Sequence, residues 1–448
     1  MPQQASLTQG RVFSRLTAFF IPMLFTNLLQ QAYTFVDSVI VGKGLGDQAL
    51  GSVGNLSSVT FLFTGFLTGI AIGFSVNIAQ SYGAGDERMF RKFIAHSIKL
   101  CAMITAVLTV ISLFLLKPLL HLMQTSPLLM KDSLIYGYFF FSSLMVIVAY
   151  NLCSGILRAV GDSKTPLKAI IVASIANIVL DCLLIFVFHA GVAGAAIATI
   201  AAQLLSVWVC LRKLLQSSLM HLGREDFSAD RRADFELMKN GLPTALMNSI
   251  TAVGCMVVQG SINAAGAAFT TAYSAGSKYL SLFMLPSITA GYALSAFVSQ
   301  NKGAGQIRRI HEGARWGVAI AVCSWLLVGG PMICLPEKLA SVMLSDPATI
   351  ELTADFMRIC GVSLIFLNLL FIFRNAVQGL GRPLIPMISG IAEMLLRSPV
   401  ITLLIPRIGF RAAAYAESAA WFGAFALNAA AWAAFILQER RIRPPVSE

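Results

Sequence analysis

Residues 157–181 read LRAVGDSKTPLKAIIVASIANIVLD. A basic turn rich in Gly, Asp and Pro leads into an apolar run that continues to about residue 188, interrupted only by Asn177 and Asp181. A helix that crosses a bilayer core of ~30 Å needs about 20 mostly apolar residues. The run is too long for a strand and lacks the period-two alternation of a membrane β-barrel. A helix that satisfies its own backbone groups is the remaining solution.

Outward from this stretch the same signal recurs. Windows near 16–40, 52–80, 94–116, 134–157, 192–211, 242–262, 271–299, 316–335, 352–373, 384–405 and 412–437 bring the number of expected spans to twelve. Composition agrees. Of 448 residues 57% are hydrophobic and 12% charged, with mean hydropathy +0.76, about half the charge of a soluble domain. A soluble enzyme, a disordered chain and a nucleic-acid binder are excluded on that ground. The first window is too long for a cleavable signal peptide, carries Pro22, Asn27, Gln30, Gln31 and Asp37, and precedes no A-x-A site, so it is expected to remain. The eight cysteines are scattered singly, which excludes a zinc motif and makes no disulfide frame, and they read as small buried hydrophobes. G-x-x-x-x-G-K-[ST], H-E-x-x-H and G-x-S-x-G are absent, against direct ATP drive and hydrolase chemistry.

Lys and Arg are distributed unevenly between the connections. The two ends and the even-to-odd connections hold 23 of the 33, and the other face holds Lys43, Lys117, Lys131, Lys338, Arg407 and Arg411. Both termini are therefore expected in the cytoplasm, and the net charge of +12 reflects orientation rather than an acidic partner.

The longest polar connection, about 216–239, divides the spans into six and six, and the halves repeat. AQSYGAG (79–85) recurs as SQNKGAG (299–305), SIANIVLD (174–181) as GIAEMLLR (390–397), and GVAGAAIAT (191–199) as GFRAAAYAE (409–417), at nearly one offset. Even-numbered halves share one orientation, and parallel repeats of this kind build transporters with substrate between them near the midplane. The expected organisation is an N-terminal lobe 1–215, an inter-lobe connection 216–240, a C-terminal lobe 241–437 and a tail 438–448.

A charge at the bilayer centre is costly, so each intramembrane ionisable group is a functional candidate. Asp37 stands late in the first window and Asp181 in the fifth. Asn177, four residues before Asp181, shares its helix face, and Thr199 in the Gly/Ala-rich sixth window closes the same face. No Lys or Arg lies mid-span in this half to pair with the acids. Two desolvated carboxylates without a counter-ion cannot both remain ionised, so the pair is expected to bind a proton or a small cation. A second reading places Asp37 at the outer end of its helix, ahead of Gly42, Lys43 and Gly44.

At the repeat-equivalent positions Asn177 becomes Glu393, Asp181 becomes Arg397 and Thr199 becomes Glu417, while Asp37 falls opposite Val257 or Val258. Glu393 and Arg397, spaced i,i+4, are expected to pair, with Lys278 neutralising Glu417 or joining them. This balanced set reads first as a packing network and second as a substrate or proton site. Gln30, Gln31, Asn77, Gln80, Asn151, Gln203, Asn248, Gln259, Asn368 and Asn428 line a wet cavity or bridge helices; the residue types do not separate the two. Bends are expected at Pro22, Pro243 and Pro286, and the five Trp read as interfacial anchors.

These segments carry a family resemblance. Pro22 followed by QQAYTFVDSVIVGKGLGDQALGSVG (30–54), AQSYGAG (79–85), and above all LRAVGDSKTPLKAIIVASIANIVLD (157–181) with GVAGAAIAT (191–199) resemble the multidrug and toxic compound extrusion (MATE) family along the whole chain. The resemblance implies an all-α polytopic membrane protein, twelve helices in two pseudo-symmetric six-helix lobes, and no enzyme activity. It implies a branch whose N-lobe cation site comprises Asp37, Asn177, Asp181 and Thr199, taking H+ or, as the metal alternative, Na+. No acid stands mid-span in the seventh or tenth window, against the C-lobe sodium site of another branch, and Glu393 with Arg397 looks like a bacterial pattern. The implied activity is secondary active efflux of hydrophobic, often cationic organic compounds in exchange for H+ or Na+. It would need no cofactor and no nucleic-acid partner, and would be carried out by a monomer among the lipids of the cell (inner) membrane. The alternative is a lipid or lipid-linked oligosaccharide flippase of the same wider superfamily.

Overall fold

The structure, a computed structural model, describes residues 6–122, 125–217 and 221–442. Helix is the only regular secondary structure among them. The first half contains α1 (Val12–Leu45), α2 (Asp47–Ala84), α3 (Glu87–Leu122), α4 (Pro127–Ser142), α5 (Leu144–Ala159), α6 (Lys164–Cys182) and α7 (Gly191–Leu215). The second contains α8 (Arg231–Ala265), α9 (Ala267–Phe283), α10 (Leu285–Gly303), α11 (Ile307–Ser324), α12 (Gly330–Cys334), α13 (Pro336–Met343), α14 (Pro347–Gly379), α15 (Leu384–Ile408) and α16 (Arg411–Ile442). Among the described residues ten helices, some extended by π-helical turns, are long and apolar enough to cross a bilayer, and the bent pairs α4–α5 and α9–α10, each counted as one span, bring the number to twelve.

The bends have local causes. The α9–α10 pair turns by 40° where Pro286 opens α10, as expected of a residue without an amide hydrogen. The larger bend, 44° between α4 and α5, falls at Ser142–Ser143 and has no proline. There the Ser143 hydroxyl donates to the Phe140 carbonyl at 2.7 Å, and side-chain competition of this kind bends helices. Pro22 and Pro243 lie inside α1 and α8, which continue through them.

The chain divides into two compact units. One is essentially Thr17–Ala245, the other Leu246–Lys302 with Gln306 onward, each borrowing a short piece from elsewhere. The division falls within α8, and the polar connection is helical from Arg231 on. The first half of α8 stays with the N-terminal unit because it lies directly on α2. A Cβ on Gly73 would stand 2.5 Å from the Asn240 carbonyl oxygen, and one on Gly69 would stand 2.6 Å from Ala245 Cα. Asn240 also donates to the Asn77 side chain across the same contact. Such backbone approach is what small residues permit between membrane helices.

The N-terminal core is built on Leu56, Phe74, Phe90, Ile94 and Phe141, the C-terminal core on Phe356, Met357, Cys360, Leu364 and Trp421. The described cysteines are unpaired: Cys101, Cys210 and Cys360 are buried as expected, whereas Cys182, Cys255, Cys323 and Cys334 are exposed. Trp316, Trp421 and Trp432 are buried rather than placed as interfacial anchors.

The turn that opened the sequence reading shows why α6 starts where it does. Gly161 takes φ +91°, and the Asp162 carboxylate accepts from the Lys164 and Thr165 amides, both at 3.0 Å, and from the Thr165 hydroxyl at 2.6 Å. These are amides that a helix N-terminus otherwise leaves without partners. At its far end α6 passes through a π-helical turn, Leu183–Val187, and His189 and Gly191 at positive φ reverse the chain into α7. Gly194, Ala195, Ala196 and Ala198 are buried where α7 packs on α6.

Candidate functional site

α1 carries Asp37 eight residues before its end at Leu45, so Asp37 is not a helix-end residue. Its side chain is half-buried, with Oδ1 fully enclosed and without a hydrogen-bond partner. α6 presents Asn177 and Asp181 one turn apart, 1% and 0% exposed. Both polar atoms of Asn177 and both carboxylate oxygens of Asp181 have no partner. The Asp37 and Asp181 carboxyl groups are close neighbours, although neither Asp181 oxygen has a hydrogen-bond partner. From α7, Thr199 donates its hydroxyl to the Ala195 carbonyl at 3.0 Å, which leaves its oxygen lone pairs available.

Asn177 and Thr199 line one cleft, and Asp181, one turn from Asn177 on α6, neighbours Asp37 of α1. The structure adds three tyrosines. Tyr33 lies one turn before Asp37 on α1 and feels its charge. Tyr136 of α4 feels Asp37, Tyr33 and Asp181. Tyr150 of α5 joins Gln30, Tyr33, Ser174, Asn177, Thr199 and Gln203 among the residues lining a cleft of about 320 Å³, its open mouth included. The Tyr150 hydroxyl and the Ser174 hydroxyl are likewise buried and unpartnered. Tyr33 was within reach of sequence reasoning, being spaced i,i+4 with Asp37. Tyr136 and Tyr150 come from other helices and gave no such signal.

Chemically, the site is an acid pair without a cation. No Lys or Arg forms an ion pair with Asp37 or Asp181 among the described residues. Two neighbouring carboxyls without a basic partner repel each other when both are ionised, and a proton or a small cation between them relieves that repulsion. The oxygens of Asp37, Asp181, Asn177 and Thr199 are the hard donors that a small cation prefers. No cluster of three or more His, Cys, Asp and Glu suited to a metal exists among the described residues.

The C-terminal unit corrects the expected pairing. Glu393 does not pair with Arg397 along α15. It accepts instead from Arg374 of α14, while Arg397 Nη2 lies 2.9 Å from Glu417 Oε2 of α16. Tyr273 donates to Glu417 Oε1 at 3.2 Å, Arg374 to Ser389 Oγ at 3.3 Å, and Arg397 Nη1 lies 3.2 Å from Cys255 Sγ. The physical reason is charge accounting in a buried site. An Arg397–Glu393 pair would strand Arg374 and Glu417, both buried, at the cost of two unpaired charges. Lys278 is exposed and makes no ion pair among the described residues. Arg374 was missed because α14 runs to Gly379, beyond the apolar window that ended at residue 373 and left Arg374 counted as a loop charge.

Two segments of the chain, 22–183 and 243–403, match the model of the MatE family, one in each half. The chain belongs to the MatE family. A relative from Bacillus subtilis, "Probable multidrug resistance protein YpnP", is 29% identical over 407 residues, covering 90% of each chain. One from Shewanella oneidensis, named "FAD transporter", is 25% identical over 396 residues, covering 86% of each. A solved structure described as "Reverse polarity of binding pocket suggests different function of a MOP superfamily transporter from Pyrococcus furiosus" superposes with TM-score 0.89 at 21% identity, covering 96% of this chain and 97% of the other. The MatE chain is therefore a multi-pass membrane transporter and not an enzyme, and its two matches fall on the two copies of the repeat.

Proposed function

We propose that this transporter expels hydrophobic, often cationic organic compounds in exchange for a cation bound at Asp37 and Asp181, with Asn177 and Thr199 completing the site. The observation that carries the reading is the closeness of two carboxyl groups, Asp181 buried and Asp37 half-buried, that have no basic partner among the described residues. Direct acid-to-acid approach favours a shared proton over Na+ as the coupling ion. One charge crossing 100 mV supplies ~2.3 kcal/mol, a usable drive. Binding of the cation removes charge between α1 and α6, changes how α1 packs, displaces cargo, and lets the lobes exchange access.

Relatives named as multidrug resistance proteins support the cargo class. The acidic, unpaired N-lobe favours cationic cargo over the anionic headgroups of the flippase alternative. The distribution of Lys and Arg supports an orientation with both termini in the cytoplasm; the reading further takes the protein as a monomer of the cell membrane that needs no cofactor. Dye efflux from proteoliposomes tests the reading, first with an imposed pH gradient and then with a sodium gradient. Flux under the pH gradient alone supports it, flux under sodium alone replaces the ion, and flux under neither overturns it.

A further inference from the structure

The connection between the lobes is fastened to α3 by two rungs. Lys92 and His96 stand one turn apart on α3, and Asp230 and Asp234 one turn apart at the start of α8. Lys92 pairs with Asp230, and His96 Nδ1 lies 2.6 Å from Asp234 Oδ1. The imidazole is fully buried, and its other nitrogen, Nε2, lies 3.0 Å from the Ser228 backbone carbonyl oxygen. Immediately before Ser228 the connector makes a tight 3-10 turn, Arg224–Phe227.

Both nitrogens of His96 therefore face acceptors. A neutral imidazole has one N–H and one lone pair, so it satisfies one contact and sets a lone pair against an oxygen in the other. A second proton makes both nitrogens donors. We propose that the connector is held by a proton-dependent lock, in which doubly protonated His96 binds Asp234 and the Ser228 carbonyl at once, and that loss of this proton releases the Ser228 arm. The arm that opens follows from bond strength. A neutral ring keeps its N–H on the carboxylate, the stronger acceptor, and turns its lone pair on the carbonyl. The start of α8 stays held while the segment before it is freed.

The charges around His96 lie on α3 and on the connector, whose 3-10 turn, carrying Arg224, Glu225 and Asp226, also packs on α3. On α3, Lys92 and Lys99 flank His96, and Asp230 answers Lys92. From α2, α4 and α5, which also pack on α3, no carboxylate pairs with His96 among the described residues; Tyr82 of α2 packs on the Phe90 ring. Asp234 is the carboxylate that the ring contacts directly. The lock uses none of the residues assigned to cation coupling, so it stands or falls apart from that reading.

Hydrogen exchange on the full chain in lipid nanodiscs, between about pH 5.5 and 8.5, tests it. After correction for intrinsic rates, the backbone amides of 221–230 are expected to lose about tenfold in protection at the upper pH, while those of 236–242 change little. His96→Gln, whose side-chain amide donates without titrating, is expected to show a flat profile. A flat profile in the unmodified protein overturns the lock, as does a His96→Gln profile that keeps the step.

Discussion

Arg374 of α14 and Glu393 of α15 form an ion pair in the interior of the C-terminal unit, both side chains less than a tenth exposed. Removal of one partner leaves the other charged and enclosed, which costs about 3–5 kcal/mol. Arg374→Met or Glu393→Leu alone is expected to lower the thermal midpoint strongly in detergent or nanodiscs. The double variant is expected to recover most of the loss, because well-packed apolar residues often replace a buried pair without penalty. A double variant as unstable as either single one would mean that the pair supplies something besides mutual neutralisation.

Asp37 and Asp181 invite the opposite result. Neither has a basic partner to strand, so Asp37→Asn and Asp181→Asn are expected to fold with a midpoint close to that of the unmodified protein. Both are expected to lose pH-gradient-driven dye efflux down to the level of empty liposomes. Full efflux by Asp37→Asn would remove the acid pair from the coupling mechanism.

These two cases mark what the sequence made readable and what it concealed. Asp37 and Asp181 were legible because a carboxylate in a long apolar run has no solvent to explain it, and a lobe without mid-span Lys or Arg has no partner for it. The partners of Glu393 and Arg397 were not legible. Which charge meets which depends on α14 and α16 both packing on α15, and helix adjacency is a tertiary fact that spacing along one helix does not contain. Helices also outrun their apolar windows: α1 spans Val12–Leu45 and α14 reaches Gly379. That is why Arg374 read as a loop charge. The bend at Pro286 was foreseen from proline chemistry, whereas the bend at Ser143 rests on a hydroxyl whose rotamer the sequence does not specify.

Gly73 and Gly54 lie on the same helix with opposite surroundings. A Cβ at Gly73 meets the backbone of Asn240 and Gly241 at 2.5 Å, whereas one at Gly54 meets nothing within 4 Å. Gly73→Ala is expected to cost about 1–3 kcal/mol by forcing α2 and α8 apart. Gly54→Ala is expected to be neutral or to stabilise by up to about 1 kcal/mol, since Ala loses less backbone freedom in a helix. Paired thermal melts of the two variants decide this, and equal midpoints would show that the α2–α8 contact yields without strain.

Asp162 offers a local test of what positions α6 and hence Asn177 and Asp181. Its carboxylate is the cap for the Lys164 and Thr165 amides. Asp162→Ala is expected to cost ~1 kcal/mol, and Asp162→Asn, which keeps an acceptor, much less. If both variants melt alike, the amides find water as readily as the cap.

Asp230 carries a pH dependence whose sign follows from its surroundings. The Lys92 ammonium bonded to it, with the Arg232 and Ala233 amides behind, holds its carboxyl at about 2 against an ordinary 3.8. A carboxyl depressed in the folded state stabilises that state at every pH above the unfolded value. The contribution is then lost as the pH falls from near 4 toward 2. Asp230→Asn, unable to ionise, lacks the contribution throughout. The difference in thermal midpoint between the unmodified protein and Asp230→Asn is therefore expected to be constant from neutral pH down to about 4 and to shrink below it. A difference that widens on acidification would mean that Lys92 and the two amides do not favour the ionised form. The first rung between α3 and the connector would then need another explanation.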